Sequence, residues 1–439
     1  MKYAILTFGC RVNQADSLEF EEELIARGGV PVSPEEADLV VVNTCSVTAT
    51  ADQGARQAIR RVARDNPDAR IVVTGCYATR RPEEVAALPG VLRVVPNDEK
   101  GRLIVRLQPD IPIGDGPCGA VTAPGVAGRT AYTLRVQTGC AEACSYCIIP
   151  STRGRPRSTP LEGVLREVDR VFAAGFKEIA ITGVHLGSYG RDLFPSSSLM
   201  ALLSALDRRA AMCPEQPLFR ISSLEPMDCS PDILDLIASS ESFARHFHLP
   251  LQHASNRILD AMRRPYTLEY YASLVDGIRQ RMPNATIGSD IIIGFPGESD
   301  DDFDQLARYL QRSPLTHAHV FPYSDRPGTV ASTLDGKVHG AVVRERAREI
   351  RGIAARLTSA FHMTQMGSTH RALTLEDGSL AVTGNHLKVR IPPGHARNEW
   401  VPVRITQVCP TMAGEVLQPP NTAVARRCAG DFAWPSTIN

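Results

Sequence analysis

The chain has 439 residues, of which 43% are hydrophobic and 22% are charged, as in ordinary globular domains. Its 48 Lys and Arg balance 48 Asp and Glu, which excludes a uniformly basic nucleic-acid-binding coat and an acidic disordered tail. No stretch approaches the roughly 18 consecutive apolar residues of a membrane span, and the N-terminus lacks a signal-peptide pattern. We therefore expect a cytoplasmic protein without a membrane segment, in which 11 cysteines favour metal or redox chemistry over disulfides.

Three short apolar segments near the N-terminus are each followed by a helical pattern. The predicted strands span 3–8, 38–42 and 70–74, and the predicted helices span 13–26, 51–64 and 82–88. This alternation predicts a parallel α/β sheet. A cysteine follows each strand, at Cys10, Cys45 and Cys76, and parallel strands gather such residues at one edge of the sheet. We expect the three thiols to converge; the alternative is that each is a small buried hydrophobic residue.

A Pro- and Gly-rich linker, 108–130, separates this region from a second αβ region. Its predicted strands span 132–137, 178–182, 219–222, 246–249, 286–293 and 318–321. Its predicted helices span 161–174, 199–208, 231–237, 268–281 and 301–311. The alternation predicts a barrel-like or open doubly wound parallel sheet. A long basic helix follows at 341–365, and the short alternating segments after 367 predict a small antiparallel β-domain.

The most specific pattern is Cys140-Ala-Glu-Ala-Cys144-Ser-Tyr-Cys147, a C-x3-C-x2-C spacing directly after the first central strand. Four thiolates make a closed tetrahedral zinc site, whereas three suit a cubane iron–sulfur cluster with one iron left open. No further Cys or His occurs before His185, so a local closed zinc site is disfavoured.

This pattern resembles that of the radical S-adenosylmethionine (SAM) enzymes. In that superfamily, three cysteines at this spacing hold a [4Fe–4S] cluster whose open iron is chelated by SAM. One electron from the cluster then cleaves SAM to a 5′-deoxyadenosyl radical. The resemblance implies a partial (βα)6 barrel, and it places the aromatic residue before the last cysteine, Tyr146, beside the adenine.

Resemblance to the radical SAM methylthiotransferases extends over nearly the whole chain. It implies an N-terminal methylthiotransferase domain at 1–105, a radical SAM core at 128–363 and a TRAM-like RNA-binding β-barrel at 366–430. In this family three N-terminal cysteines hold a second [4Fe–4S] cluster. Cys10, Cys45 and Cys76 match those positions.

Three stretches, 7–14, 182–190 and 222–228, are similar to the bacterial MtaB-like subgroup that thiomethylates threonylcarbamoyladenosine in tRNA. The resemblance implies addition of a methylthio group to C2 of N6-threonylcarbamoyladenosine (t6A) beside the anticodon, at position 37, giving ms2t6A. It also implies two [4Fe–4S] clusters, SAM, an electron donor and the tRNA anticodon loop as partners. No catalytic residue beyond the cluster ligands is assigned, and the oligomeric state is left open.

The resemblance also implies where SAM is held. Thr182, Gly183 and Val184, which end the second central strand, match the position that receives the SAM amino group through backbone carbonyls. Ser222 and Glu225 are candidates to hydrogen-bond the ribose hydroxyls. The predicted apolar contact to adenine on the fifth strand is Ile292 or Ile293.

A local basic patch after the cysteine loop, Arg153, Arg155 and Arg157, is the predicted RNA-binding segment, because Arg pairs with phosphate and stacks on bases. The alternative is a solvated basic loop. Three histidines, His246, His248 and His253, are expected to line a polar barrel interior, with a metal pair as the alternative.

Three further readings stay open. The same chemistry can act on isopentenyladenosine in tRNA or on a ribosomal-protein aspartate, the targets of sister families. An RNA-binding protein with structural zinc or iron–sulfur sites needs closed four-ligand sites. A radical SAM enzyme without methylthiolation requires that Cys10, Cys45 and Cys76 share no metal.

Overall fold

The computed structural model describes residues 1–107, 123–125 and 129–417, which form three units in chain order. Most of the predicted linker, and the predicted C-terminal domain from 418 to 430, lie outside the described residues. Within the described ranges, no helix has the length and apolar character that crossing a bilayer requires.

The N-terminal unit is a five-stranded parallel sheet in the order β2-β1-β3-β4-β5, with helices on its faces. Its elements are β1 (Lys2–Thr7), α1 (Arg11–Ala26), β2 (Val30–Pro31), β3 (Leu39–Thr44), α2 (Ala49–Asp65), β4 (Arg70–Gly75), α3 (Cys76–Arg80), α4 (Pro82–Ala86), β5 (Val91–Val95) and α5 (Leu103–Leu107). The predicted parallel sheet is confirmed. The helix predicted at 82–88 is present as the shorter α4, Pro82–Ala86. Pro82 separates it from α3 because proline cannot donate the backbone hydrogen bond that a continuous helix needs.

The central unit begins with β6 (Tyr132–Arg135), β7 (Gln137–Thr138), α6 (Ile149–Arg153), β8 (Arg157–Ser158), α7 (Leu161–Ala173), β9 (Glu178–Thr182), α8 (Leu199–Ala211) and β10 (Leu218–Ile221). It continues with α9 (Pro231–Ser239), β11 (His246–His248), α10 (Asn256–Ala261), α11 (Leu268–Arg281), β12 (Thr286–Ile293), α12 (Asp300–Arg312), β13 (His317–Pro322) and α13 (Gly340–Thr364). Short 3-10 helices lie at Pro34–Glu36, Lys100–Arg102, Leu186–Ser188, Pro226–Asp228 and Val330–Thr333.

Six parallel strands of this unit form a partial barrel. They make two three-stranded sheets, β6-β9-β10 and β11-β12-β13, and a parallel bridge between Phe219 and Phe243 lies between β10 and β11. Helices cover the outside through apolar stripes: Val164, Val168 and Val171 of α7, at helical spacing, are all buried. The inner face is polar, and it presents alternate residues of each strand. The predicted six-strand barrel is confirmed.

The C-terminal unit is a closed five-stranded barrel in the order β14-β15-β16-β18-β17. Its strands are β14 (Thr369–Leu375), β15 (Leu380–Thr383), β16 (Lys388–Arg390), β17 (Trp400–Gln407) and β18 (Ala413–Val416). Val389, Val403 and Ile405 fill its core, and Phe361 of α13 packs against them. Every pairing is antiparallel, as predicted, except the single parallel contact between β16 and β18.

Candidate functional site

The first group of thiols lies at the carboxyl edge of the N-terminal sheet. Cys10 follows β1, Cys45 follows β3 and Cys76 opens α3 directly after β4. A β-carbon on Gly9 would lie 2.4 Å from the Cys45 β-carbon, so only glycine permits this approach of the two loops. Burial, together with the neighbouring thiols of Cys10 and Cys76, raises the pKa of Cys45 to about 12. The structure therefore brings the three predicted thiols together.

The second group lies on the loop between β7 and α6. Its start is fixed by Gly139, whose φ is +77° and whose added β-carbon would lie 2.0 Å from the Arg155 carbonyl oxygen. Its middle is anchored by Ser145, whose backbone N–H donates to the Met262 carbonyl at 3.1 Å. Burial, together with the Cys144 and Cys140 thiols, raises the pKa of Cys147 to about 12. Clustered thiols lose their protons together only beside a cation, and a metal ion supplies one.

Two residues beside this loop were not among the predicted site residues. Arg264 donates from Nη1 to Cys144 Sγ at 3.2 Å and forms an ion pair with Glu225. His185 contacts Asp228 through Nε2 at 2.7 Å and also contacts the Cys140 thiol; although burial opposes it, these bonds raise the pKa of His185 to about 10. His185 falls inside the stretch 182–190, but Arg264 was not indicated by the sequence.

A cavity of about 210 Å³ separates the N-terminal unit from the top of the barrel. It is lined on one side by Val47 and Thr48, which follow β3, and on the other by Tyr146, Cys147, Gln252, Asp290, Ile292 and Tyr323. Tyr146 and Ile292, two of the predicted adenine contacts, therefore line the same cavity. Ile293 points the other way, into the core between strands and helices, and is fully buried. Because side chains alternate along β12, Ile293 cannot be the predicted apolar contact in this cavity, and Ile292 is the remaining candidate.

The other predicted SAM contacts lie at the ends of β9 and β10. Ser222 Oγ is buried and, among the described residues, has no hydrogen-bond partner. The Thr182 carbonyl already accepts the Val136 N–H at 2.9 Å, and Gly183 and Val184 follow with partly exposed backbone. A buried hydroxyl without a protein partner fits a bound polar ligand.

The predicted basic patch divides into two parts. Arg155 and Arg157 are exposed, as an RNA contact requires. Arg153 is instead only 4% exposed and donates to Asp16 Oδ2 at 3.2 Å, so its predicted RNA contact is corrected. Its guanidinium also lies beside the Cys76 and Cys10 thiols, which help to raise its pKa. Arg153 thus links the cysteine loop of the barrel to the cysteine edge of the N-terminal sheet.

Further polar contacts hold the two cysteine-bearing edges together. Arg326, after β13, donates to Asp52 Oδ2 at 2.6 Å and to Ser46 Oγ at 2.8 Å, just beyond Cys45. Asn97 Nδ2 lies 2.9 Å from the Thr152 carbonyl oxygen and 3.7 Å from Cys76 Sγ. The two thiol groups therefore belong to one site at the junction of the units.

The three histidines predicted to line the barrel interior do not all lie there. His246 and His248 lie on β11 and face the barrel interior beside His317. His253 is fully buried beside Glu298, with Nε2 3.7 Å from its carboxylate, so its predicted place in the interior is wrong. Burial and the imidazoles of His248 and His319 lower the pKa of His317 to about 4.

Comparisons with known families match both cysteine-bearing units. The family model described as "Uncharacterized protein family UPF0004" matches residues 2–96, and that of the Radical SAM superfamily matches residues 134–310. The threonylcarbamoyladenosine tRNA methylthiotransferase MtaB of Aquifex aeolicus is 38% identical over 403 residues, 89% of this chain and 96% of that protein. The tRNA-2-methylthio-N(6)-dimethylallyladenosine synthase of Carboxydothermus hydrogenoformans is 33% identical over 396 residues, 84% of this chain and 87% of that protein.

Among solved structures, the radical S-adenosylmethionine methyltransferase TsrM from Kitasatospora setae superposes with a TM-score of 0.54. It is 18% identical, and the match covers 75% of this chain and 76% of that chain. At this identity the likeness shows a shared fold and nothing more specific.

Proposed function

The chain belongs to the radical SAM tRNA methylthiotransferases, and we propose that it adds a methylthio group to C2 of t6A at position 37 of tRNA, giving ms2t6A. The observation that carries this proposal is the placement of two groups of three thiols on facing edges of one junction. Similarity to MtaB proteins supports the t6A substrate, and the lower similarity to a dimethylallyladenosine synthase makes isopentenyladenosine the alternative.

We assign the [4Fe–4S] cluster that the superfamily implies to Cys140, Cys144 and Cys147, and a second one to Cys10, Cys45 and Cys76. When bound, the first cluster and one SAM would supply the 5′-deoxyadenosyl radical, the second cluster would supply sulfur, and a second SAM would supply the methyl group. The donor sets fit, because each consists of three thiols and leaves one iron open. Radical chemistry suits the target, since the C2–H bond of adenine is not acidic.

The chain's own residues bind and orient the reactants. We propose that Tyr146 and Ile292 hold the SAM adenine in the cavity and that the unpartnered Ser222 hydroxyl takes a ribose hydroxyl. Glu225 reaches the same ligand from its ion pair with Arg264, and the backbone of Thr182–Val184 receives the amino group. The cavity between the units shields the reacting groups from water.

The second cluster site depends on a glycine that can be tested with a matched control. Replacing Gly9 with alanine puts a β-carbon 2.4 Å from the Cys45 β-carbon. Gly28 also has a positive φ, but an added β-carbon there meets nothing within 4 Å. We expect iron per chain after anaerobic reconstitution to fall from about eight to about four in G9A and to stay unchanged in G28A. Equal iron in both variants would contradict the second assignment.

For RNA binding we propose the exposed Arg155 and Arg157, together with the C-terminal barrel. The double variant R155A/R157A is expected to bind tRNA more weakly. The plot of log affinity against log salt should also become less steep by about 1.4, since each phosphate contact to a single strand contributes about 0.7 to the steepness. The control R308A/R312A removes the same charge from exposed positions of α12, outside the barrel. Equal slopes for the two variants would exclude Arg155 and Arg157 as phosphate contacts.

The substrate assignment is tested by nucleoside analysis of tRNA from a deletion strain, complemented either by the wild-type gene or by C144A. We expect t6A to accumulate and ms2t6A to be absent in the deletion, and only the wild-type gene to restore ms2t6A. Loss of the methylthio derivative of isopentenyladenosine instead would assign the alternative tRNA substrate. Unchanged tRNA would point to a ribosomal-protein aspartate.

A further inference from the structure

Three histidines on adjacent strands lie together on the inner face of the barrel. The parallel register aligns His248 of β11 with Gly288 of β12, and Gly288 with His317 of β13. His319 lies two residues further along β13, on the same face. The ring centroids of His248 and His317 are 6.4 Å apart, and each lies 5.7 Å from that of His319. The three imidazoles therefore form a nearly regular triangle.

The glycine between the two aligned histidines makes this triangle possible. A β-carbon on Gly288 would lie 2.2 Å from His317 Nε2, so any other residue would fill the position that this nitrogen occupies. The strand at Gly288 has no positive φ, so backbone conformation does not require glycine here. The missing side chain instead creates a space in which His317 Nε2 approaches His248 across the central strand.

The ring nitrogens of this triangle are arranged as metal ligands are. One nitrogen from each of His248, His317 and His319 lies within 4.8 Å of the other two. His317 contacts Thr316 Oγ1 through Nδ1 at 3.0 Å, which leaves Nε2 for a ligand. Metal-bound histidines commonly use their second nitrogen in this way, to fix the ring orientation. Asp290 Oδ1 lies 3.1 Å from His248 Nε2 and can supply an oxygen ligand.

We propose that His248, His317 and His319 bind a divalent transition metal of the zinc class. Asp290 is either the fourth ligand or a hydrogen-bond partner of the ligand His248. Imidazole nitrogens and one carboxylate are the donors that Zn²⁺ prefers in sites without sulfur. Asp290 also lines the cavity between the units. This site shares no ligand with the two cysteine groups, and it does not depend on how many iron–sulfur clusters they hold.

The test uses the full chain with its clusters reconstituted anaerobically, equilibrated with zinc and then desalted. We expect about one zinc per chain. Zinc-edge X-ray absorption should show nitrogen and oxygen ligands at about 2.0–2.1 Å and no sulfur at about 2.3 Å, which excludes zinc in a vacant cysteine site. Sulfur ligation, or no retained zinc, would overturn the proposal.

The variants H319N and H395N separate a bound metal from non-specific binding. His319 is the exposed member of the triangle, so its replacement least disturbs the core; His395 is in the C-terminal barrel, outside the triangle. H319N should lose the zinc while keeping its iron, its sulfide and the thermal unfolding midpoint that the wild type has without zinc. H395N should keep its zinc as well as these three properties. If H319N retains zinc, or if both variants lose it equally, the triangle is not the metal site. The histidines then only line the barrel.

Discussion

Replacing Cys45 with serine is expected to abolish tRNA methylthiolation while reductive cleavage of SAM continues. Cys45 belongs to the thiol group at the edge of the N-terminal sheet, whereas we assign SAM cleavage to the separate loop that carries Cys140, Cys144 and Cys147. Serine has nearly the same size as cysteine but lacks the soft sulfur that binds iron, so the fold is retained and the second cluster is not. Methylthiolated nucleoside and 5′-deoxyadenosine, measured in the same reaction, separate the two effects.

Two other cysteines serve as controls for this experiment. C144S removes a ligand from the loop and should abolish both products. C213S changes a partly exposed cysteine at the end of α8, outside both groups, and should retain both. If C45S still produces methylthiolated nucleoside, sulfur does not come from the N-terminal thiols. A radical SAM enzyme without a second cluster is then the better description.

The cysteine site was predictable from the sequence because its information is local. A cysteine just beyond each of three strands, together with the C-x3-C-x2-C spacing, fixes which edges carry the thiols once the strands are parallel. The choice between Ile292 and Ile293 was not predictable, since a shift of one residue in register exchanges the two faces of a strand. Only the structure shows that Ile292 faces the cavity.

The residues that sequence reasoning missed or misassigned depend on contacts between distant segments. Arg153 has the sequence context of a solvent-exposed basic loop, but it pairs with Asp16, which is 137 positions away. Arg264 reaches Cys144 across 120 positions, and His317 completes a triangle with a histidine from another strand. No periodic pattern or fixed spacing in the sequence indicates any of these contacts. Buried charges in particular are recognised only when their partners are known.

The largest loss of stability is expected from replacing Asp16 with asparagine. Asp16 is fully buried on α1, and its carboxylate accepts from Lys100 Nζ at 2.6 Å and from Arg153 and Arg135. Burial alone would raise the pKa of Asp16, but these three cations hold it well below its usual range. Asparagine fills the same space without the charge, and it leaves buried Lys100 and Arg153 uncompensated. Breaking a buried ion pair in this way costs about 3–5 kcal/mol.

The thermal unfolding midpoint of D16N should therefore fall by roughly 5 °C relative to the wild type. The control E19Q removes a carboxylate that pairs with the same Arg135 at 2.8 Å but is exposed, and such pairs contribute less than about 1 kcal/mol. A depressed pKa in the folded state means that Asp16 stabilises the protein fully above its unfolded pKa of about 3.9. That stability is lost only as the pH falls from there toward the folded-state pKa. The deficit of D16N should thus be constant between about pH 5 and 8 and shrink in stronger acid. If D16N and E19Q unfold at the same temperature, the Asp16 network does not hold the two cysteine-bearing units together.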